Sequence, residues 1–172
     1  VELAIAEIIM LMRRVPDMSS EMHQGIWNKS AANSSEIRGK KLGIIGYGNI
    51  GAQLSVLAES LGMDVYYYDV IEKLPLGNVT KCNTLKELLQ KCDVVSLHVD
   101  GRVENKNIVG EKEFGWMKDG VVFLNIARGP VVDIAALVKN VKSGKIRGTG
   151  VDVYPYEPKT NDEVFESELK GL

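Results

Sequence analysis

Cysteine and histidine are scarce in this sequence. Its 172 residues include two cysteines, Cys82 and Cys92, and two histidines, His23 and His98. The cysteines do not have the spacing of a metal-ligand pair, so no metal site is predicted. Because a pair of thiols without a secretory leader is typical of a reducing compartment, we expect reduced cysteines and a cytoplasmic location.

An excess of positive charge and long apolar runs are also lacking. The net charge of −2 excludes the basic field of a protein that binds nucleic acid or an anionic membrane. The first apolar stretch is shorter than the roughly 20 residues that a membrane span needs. With 45% apolar and 26% charged residues, the chain has the composition of an ordinary globular domain with its own core.

The amino-terminal stretch VELAIAEIIMLMRR predicts a helix with apolar residues on nearly every side. Such a helix is buried or packs on another surface. It should end near Val15, because Pro16 disfavours helix in the residue before it. Residues 16–40 are polar and predict a short helix followed by a loop that carries an exposed Trp27. Since no capping residue precedes this helix, we expect that the chain is cut from a longer one.

Strand and helix patterns alternate over the rest of the chain. The predicted strands are 41–46, 64–69, 93–99, 121–126 and 147–154, and the predicted helices are 49–62, 84–92, 111–118 and 133–144. Alternation of this kind predicts parallel strands joined by crossover helices. The strands are almost continuously apolar, as expected when helices cover both faces. The predicted fold class is therefore α/β, a doubly wound parallel sheet.

The first predicted strand leads into GYGNIG, with glycines at positions 46, 48 and 51. Between a strand and a helix, this spacing is typical of a Rossmann-type dinucleotide site. Gly46 permits the tight turn, Gly48 admits a pyrophosphate, and Gly51 lets helix and strand pack closely. The helix offers free N–H groups to the phosphates. The alternative is a tight strand–helix turn that binds nothing.

Asp69 ends the second predicted strand and would accept hydrogen bonds from the ribose hydroxyls of the cofactor. Its charge would repel a 2′-phosphate, and Val70 and Ile71 provide no arginine to hold one. The sequence therefore favours NAD over NADP. The alternative for Asp69 is a polar turn residue at a strand end.

Polar side chains follow three other strands at the edge where ligands bind in such sheets. Arg128 suits a carboxylate substrate or a developing oxyanion, and its alternative is a surface ion pair. The last predicted strand carries Asp152 and leads to Glu157. His98 lacks an implied partner, so we expect it to contact the cofactor through its backbone or to pack, rather than to act as a base. His23 lies in a polar stretch and should be solvated.

With these residues in view, the sequence resembles the D-isomer-specific 2-hydroxyacid dehydrogenases. The likeness covers nearly the whole chain. The matching segments are RGKKLGIIGYGNIGAQLSVLAESLGMDVYYYD (38–69), KLPLGN (73–78), DVVSLHV (93–99), NIARGPVVDIAALV (125–138) and GVDVYPYEP (150–158). In this family the cofactor domain is inserted into the substrate domain. The resemblance implies that residues 1–172 are the NAD-binding domain and that both flanks of the substrate domain are absent.

The resemblance also implies roles for single residues. Arg128 would bind the substrate carboxylate, and Glu157 would orient a catalytic histidine that lies beyond Leu172, so the chain alone should be inactive. Asp152 would contact the nicotinamide carboxamide. The implied cofactor contacts are Gly46, Gly48, Asn49, Ile50, Gly51, Asp69, His98, Val99, Ile126, Ala127 and Asp152. Asp100 and Asn105 depart from the Pro and Thr that are usual in the family.

The members that oxidise 3-phosphoglycerate, leading into serine biosynthesis, match best, so 3-phosphoglycerate is the expected substrate. Glycerate, lactate or a bulkier hydroxy acid is an alternative, as is an NAD-sensing interaction protein similar to a corepressor. The family likeness implies a homodimer or higher oligomer through the first helix and the Trp27 region. Lys29 could then reach a substrate phosphate in the partner's site.

Overall fold

The computed structural model describes all 172 residues. Its strands are β1 (Lys41–Ile45), β2 (Asp64–Tyr68), β3 (Thr80–Lys81), β4 (Val94–Leu97), β5 (Val121–Asn125) and β6 (Ile146–Val151). Its helices are α1 (Glu2–Arg13), α2 (Val15–His23), α3 (Asn49–Ser60), α4 (Leu85–Lys91), α5 (Glu111–Trp116) and α6 (Ile134–Lys142). Short 3-10 turns cover Val103–Asn105 and Gly129–Val131. None of the helices has the length and apolar content needed to cross a bilayer.

All six strands are parallel and lie in the order β3-β2-β1-β4-β5-β6. The chain leaves β1 toward one side of the sheet and later returns to β4 on the other side of β1. The strand order therefore reverses between β1 and β4, and a crevice opens at their carboxyl ends. The predicted doubly wound parallel sheet is confirmed.

The sheet separates two apolar cores. On one face α1 and α3 cover a cluster that includes Ile8 of α1, Leu54 of α3, and Leu42 and Ile44 of β1. On the other face α4, α5 and α6 cover a second cluster that includes Leu88, Phe114, Phe123 and Leu137. Strands that are buried on both faces have continuous apolar sequences. This is why their alternation with helices could be predicted from the sequence.

The first helix ends earlier than predicted. It stops at Arg13, Arg14 adopts a left-handed conformation with φ 56°, and α2 begins at Val15 with Pro16 in its first turn. Proline fits a first turn because its missing N–H has no partner there. The segment that was predicted to close one helix therefore opens the next.

All five predicted strands are too long at their carboxyl ends, and Gly46 and Asp69 lie one residue beyond β1 and β2. His98 and Ile126 each lie just beyond their strands, and β6 ends at Val151 rather than at residue 154. Each of these residues has left the ladder and enters a loop at the carboxyl edge. Strand β3 was missed, because two residues paired to Tyr66 and Tyr67 leave no periodic pattern.

Candidate cofactor site

In the glycine turn between β1 and α3, the first and third glycines pack closely against other backbone atoms, and the second has free space beside it. Gly46 has φ 95°, and a Cβ there would lie 2.7 Å from the carbonyl oxygen of His98. A Cβ on Gly51 would lie 2.3 Å from the carbonyl oxygen of Gly46. A Cβ on Gly48 would meet nothing within 4 Å. The turn thus packs tightly against the protein and leaves one backbone stretch free for close approach by a ligand.

Asp69 is fixed beside this turn by two backbone donors. Its Oδ2 accepts a hydrogen bond from the Tyr47 N–H at 2.8 Å, and its Oδ1 accepts one from the Ile71 N–H at 2.8 Å. Each carboxylate oxygen has a second lone pair that can accept a hydrogen bond from a hydroxyl group. The arrangement suits a vicinal diol such as that of a ribose.

Tyr47 supports the turn, a role that the sequence did not reveal. Its ring stacks on Tyr67 with centroids 4.0 Å apart. Its hydroxyl bonds Ser55 Oγ at 2.9 Å and accepts the Leu76 N–H at 3.1 Å. Because Tyr47 is the first variable position of the glycine pattern, only its aromatic character hinted at a packing role.

A cavity of about 240 Å³ opens at the carboxyl ends of β1, β2 and β4. It is lined by the backbone of Gly46 and Gly48, by the carboxylate of Asp69, and by apolar side chains that include Ile71 and Val99. A larger cavity of about 1040 Å³ lies along the outer edge of β6, between α1, α2 and the carboxyl-terminal residues. That larger cavity contains none of the predicted site residues, so the smaller one is the candidate site.

His98 lies next to Gly46 of the glycine turn, and its imidazole is mostly buried. Its Nε2 is 2.9 Å from the hydroxyl of the buried Ser96, and its backbone N–H donates to the carbonyl oxygen of Ile45 at 2.7 Å. Burial lowers the pKa of His98 to about 4. The ring is therefore neutral at pH 7, and its one hydrogen bond holds it inside the protein.

Asn125 organises the loop that carries Arg128. Its side chain donates to the Arg128 carbonyl oxygen at 3.1 Å and accepts the Ala127 N–H at 3.2 Å. Asn125 is fully buried at the end of β5, a second supporting residue that was not predicted. The Arg128 side chain is exposed, and Nη1 donates to the Ala127 carbonyl oxygen at 2.6 Å.

Asp152 and Glu157 lie on the neighbouring loop. The Asp152 N–H donates to the Asn125 carbonyl oxygen at 3.1 Å, which ties this loop to β5. Glu157 Oε1 accepts the Tyr154 N–H at 2.9 Å. A Cβ on Gly129 would lie 2.0 Å from the carbonyl carbon of Tyr154, so the two loops meet backbone to backbone. Both loops therefore leave the same edge of the sheet, without a direct hydrogen bond between Arg128, Asp152 and Glu157.

Glu7 on α1 lies next to the carboxyl-terminal part of β6. It is half-buried, and its carboxylate lies against Gly150 of β6. Burial, followed by the charge of Asp152, raises the pKa of Glu7. No group of three or more His, Cys, Asp or Glu side chains is arranged to hold a metal ion.

The predicted cofactor residues fall into three groups. Gly46, Gly48, Asp69, His98 and Val99 line the cavity. Asn49 and Ile50 form the exposed start of α3, and Gly51 is buried behind them. Ile126, Ala127 and Asp152 lie at the ends of β5 and β6, which are three and four strands along the sheet from β2, the strand that precedes Asp69. Together they follow the crevice from one half of the sheet to the other.

Comparison with known sequences gives this geometry a family. A sequence model described as D-isomer specific 2-hydroxyacid dehydrogenase, NAD binding domain, matches residues 5–169. The chain belongs to this family. The D-3-phosphoglycerate dehydrogenase of Haemophilus influenzae is 54% identical over 98% of the chain, and that of Escherichia coli K12 is 53% identical over 98%. The chain spans 41% of each of these two relatives.

Solved structures of this 2-hydroxyacid dehydrogenase family superpose closely. A glyoxylate reductase from Paecilomyes thermophila gives a TM-score of 0.84 at 35% identity, over 94% of the chain and 49% of that protein. A D-lactate dehydrogenase from Lactobacillus jensenii, solved with NAD+, gives 0.85 at 29% identity, over 96% and 50%. Both are similar to this chain over its NAD-binding fold.

The residues of this NAD-binding domain fit its dinucleotide. The open backbone at Gly48 leaves room for a pyrophosphate, and the Asp69 oxygens retain acceptor capacity for a ribose. The apolar side chains Val70, Ile71, Val99 and Ile108 line the same cavity and provide walls for a flat base.

Proposed function

We propose that the chain is the NAD-binding domain of a D-3-phosphoglycerate dehydrogenase, which oxidises 3-phosphoglycerate to 3-phosphohydroxypyruvate in serine biosynthesis. The observation that carries this proposal is the 54% identity over 98% of the chain to the Haemophilus influenzae enzyme of that name. The other hydroxyacid enzymes compared above are more distant, at 35% and 29% identity. The whole of residues 1–172 would form this domain, and the substrate-binding domain would be supplied by sequence on either side.

In this proposal the crevice orients the cofactor from Asp69 toward Asp152. The Asp69 carboxylate accepts from the ribose hydroxyls, and the backbone at Gly48 and the start of α3 hold the pyrophosphate. The backbone at Ile126 and Ala127 and the carboxylate of Asp152 hold the nicotinamide end. NAD supplies the hydride acceptor.

Arg128 would hold the carboxylate of the substrate. The bond from its Nη1 to the Ala127 carbonyl is the only side-chain hydrogen bond that it makes, so its remaining N–H donors are free. A guanidinium with free donors pairs with a carboxylate in a fixed plane and favours negative charge that develops on a nearby oxygen. Asn125 positions this arginine through the backbone at residues 127 and 128.

Glu157 would orient the proton-transferring histidine of the complete enzyme. Neither histidine of this chain can take that part here, since His98 is held by Ser96 and His23 is exposed on α2. A carboxylate beside an imidazole raises its pKa and fixes its tautomer. We therefore expect no turnover from this chain alone.

A chimera tests the proposed function. The chain replaces the segment of the Haemophilus influenzae enzyme to which it aligns, and NADH formation is followed with 3-phosphoglycerate, D-glycerate and D-lactate. We expect turnover with 3-phosphoglycerate above the other two, and a fall of about 100-fold or more for Arg128→Ala, because a charged pair at the reacting group is lost. Arg13→Ala, an exposed arginine on α1, is the matched control. Equal turnover with lactate, or an unaffected Arg128→Ala chimera, would argue against the proposal.

We further propose that the domain forms a homodimer in the cytoplasm. Trp27 is 77% exposed, and Leu3 and Met10 of α1 are also exposed, which leaves an apolar surface that suits a subunit interface. Lys29, exposed beside Trp27, would reach the substrate phosphate in the partner's site. The two buried, unpaired cysteines suit a reducing compartment. Sedimentation of the chimera as a monomer would contradict the dimer.

A further inference from the structure

A closed hydrogen-bond network shapes the loop after β4. Asp100 accepts from Arg102 Nε at 2.7 Å and also from Arg102 Nη2, so the guanidinium and the carboxylate pair through two parallel bonds. Asn105 Nδ2 donates to Asp100 Oδ1 at 2.9 Å and to the Asp100 carbonyl oxygen at 3.0 Å. The pair is therefore held by a third side chain from the same loop.

The network faces the half of the crevice that would receive adenosine. Asp100, Arg102 and Asn105 all line the 240 Å³ cavity, together with Asp69. Asp69 marks the ribose of the adenosine half, and β2, which carries it, lies on the far side of β1 from β5 and β6. Arg128 and Asp152 mark the reacting half, and the Arg128 side chain lies against Gly101 of the same loop, whereas Arg102 lines the cavity together with Asp69. A group beside Asp69 therefore meets the adenine end of the cofactor.

The state of Arg102 favours contact with a base over contact with a phosphate. Its charge is already matched by Asp100, and the strong pairing lowers the pKa of Asp100 to about 2. Its guanidinium plane is fixed by the parallel bonds, yet its side chain is 51% exposed, which leaves a flat face accessible. Lys73 lines the same cavity without any ion pair and is the better partner for a phosphate. A planar, weakly hydrated cation that is already held in place stacks well on an aromatic ring.

We propose that Arg102, locked by Asp100 and Asn105, stacks on the adenine of the bound dinucleotide and is a determinant of its affinity. The inference rests on the proposed NAD site, and it adds Arg102 to the residues of that site. Val70 and Ile71, from the end of β2, would then form the opposite wall of the slot.

Calorimetric titration of the chain with NADH, ADP-ribose and reduced nicotinamide mononucleotide tests this. For Arg102→Ala we expect NADH and ADP-ribose to weaken by the same factor, about fivefold to tenfold, with the mononucleotide unaffected. Arg102→Lys should lose as much, since an ammonium group has no flat face. The loss should stay constant as ionic strength is raised, whereas Lys73→Ala should lose less at high salt.

Two controls separate stacking from other effects. Arg13→Ala removes an arginine that is also 51% exposed and paired with a carboxylate, but lies outside the cavity, and it should bind like the wild type. In the double variant Arg102→Ala with Asp100→Asn, the loss should persist, because it does not arise from an orphaned carboxylate.

Several results would overturn the inference. Affinity restored by Arg102→Lys would assign a charge role to Arg102, and affinity restored in the double variant would assign the loss to repulsion by Asp100. NADH binding that depends on Asp69 but not on Arg102 would contradict the stacking role and would leave the proposed NAD site standing. Absence of NADH binding by the wild type would contradict the proposed cofactor site, and the stacking role with it.

Discussion

Replacement of Gly51 by alanine should both destabilise the fold and weaken NADH binding. The new methyl would lie 2.3 Å from the Gly46 carbonyl oxygen and 3.0 Å from Ile44 Cγ2, so α3 must move away from β1. Overpacking of this kind costs about 1–3 kcal/mol of stability. The shift moves the N–H groups at the start of α3, and loss of one charge-assisted hydrogen bond to a phosphate weakens binding about tenfold. Urea unfolding and calorimetric titration measure the two effects.

Gly48→Ala separates these two effects. Its Cβ has no neighbour within 4 Å, and alanine is only a poorer N-cap of α3 than glycine, so stability should fall by no more than about 1 kcal/mol. The methyl would still stand where a pyrophosphate approaches, and NADH binding should fall. Gly115→Ala on α5, where a Cβ also meets nothing within 4 Å, should impair neither property. A Gly51→Ala protein with wild-type stability and affinity would show that helix packing does not set the shape of the turn.

The second large effect is a loss of stability in mild acid that depends on His98. In the unfolded chain this histidine takes a proton below about pH 6.5, whereas in the folded protein burial holds its pKa at about 4. Between these values the unfolded state binds more protons, so stability falls as pH falls. Two pH units in this window correspond to about 2–3 kcal/mol.

Urea unfolding at pH 7 and at pH 4.5 checks this expectation. In His98→Gln the difference in stability between the two pH values should shrink by about 2–3 kcal/mol relative to the wild type. His23→Gln, which removes an exposed histidine, should keep the wild-type difference. Loss of the Ser96 hydrogen bond affects both pH values alike and cancels in the comparison. An unchanged difference in His98→Gln would mean that the ring is protonated freely in the folded state.

Much of the sheet could be predicted because its strands are buried on both faces. The runs KLGII and VVFLN carry hydrophobic residues without alternation, and each is followed by turn residues and a helix period. Strand β3 and the 3-10 turn at Val103–Asn105 left no such pattern. They exist through pairing with β2 and through the Asp100 network, which are tertiary contacts.

The same distinction applies to the candidate site. The glycine spacing and Asp69 stand in one continuous block and were found from sequence. Tyr47 acts through its ring and hydroxyl, and Asn125 acts through backbone groups of the following loop; these contacts form only after folding. One signal was available for His98: Ser96 and His98 are two residues apart along an extended chain, so they share a face of the sheet. That spacing could have predicted their hydrogen bond.

Titration of the chain with NADH and NADPH tests the central claim most directly, with Asp69→Ala as the variant. Asp64→Ala, an exposed aspartate at the other end of β2, is the matched control. We expect NADH to bind and NADPH to bind more than about tenfold more weakly, because the Asp69 carboxylate repels a 2′-phosphate. Asp69→Ala should weaken NADH binding about tenfold or more and reduce the preference, while Asp64→Ala changes neither. Equal or tighter binding of NADPH, or no effect of Asp69→Ala, would contradict the assignment of this crevice as an NAD site.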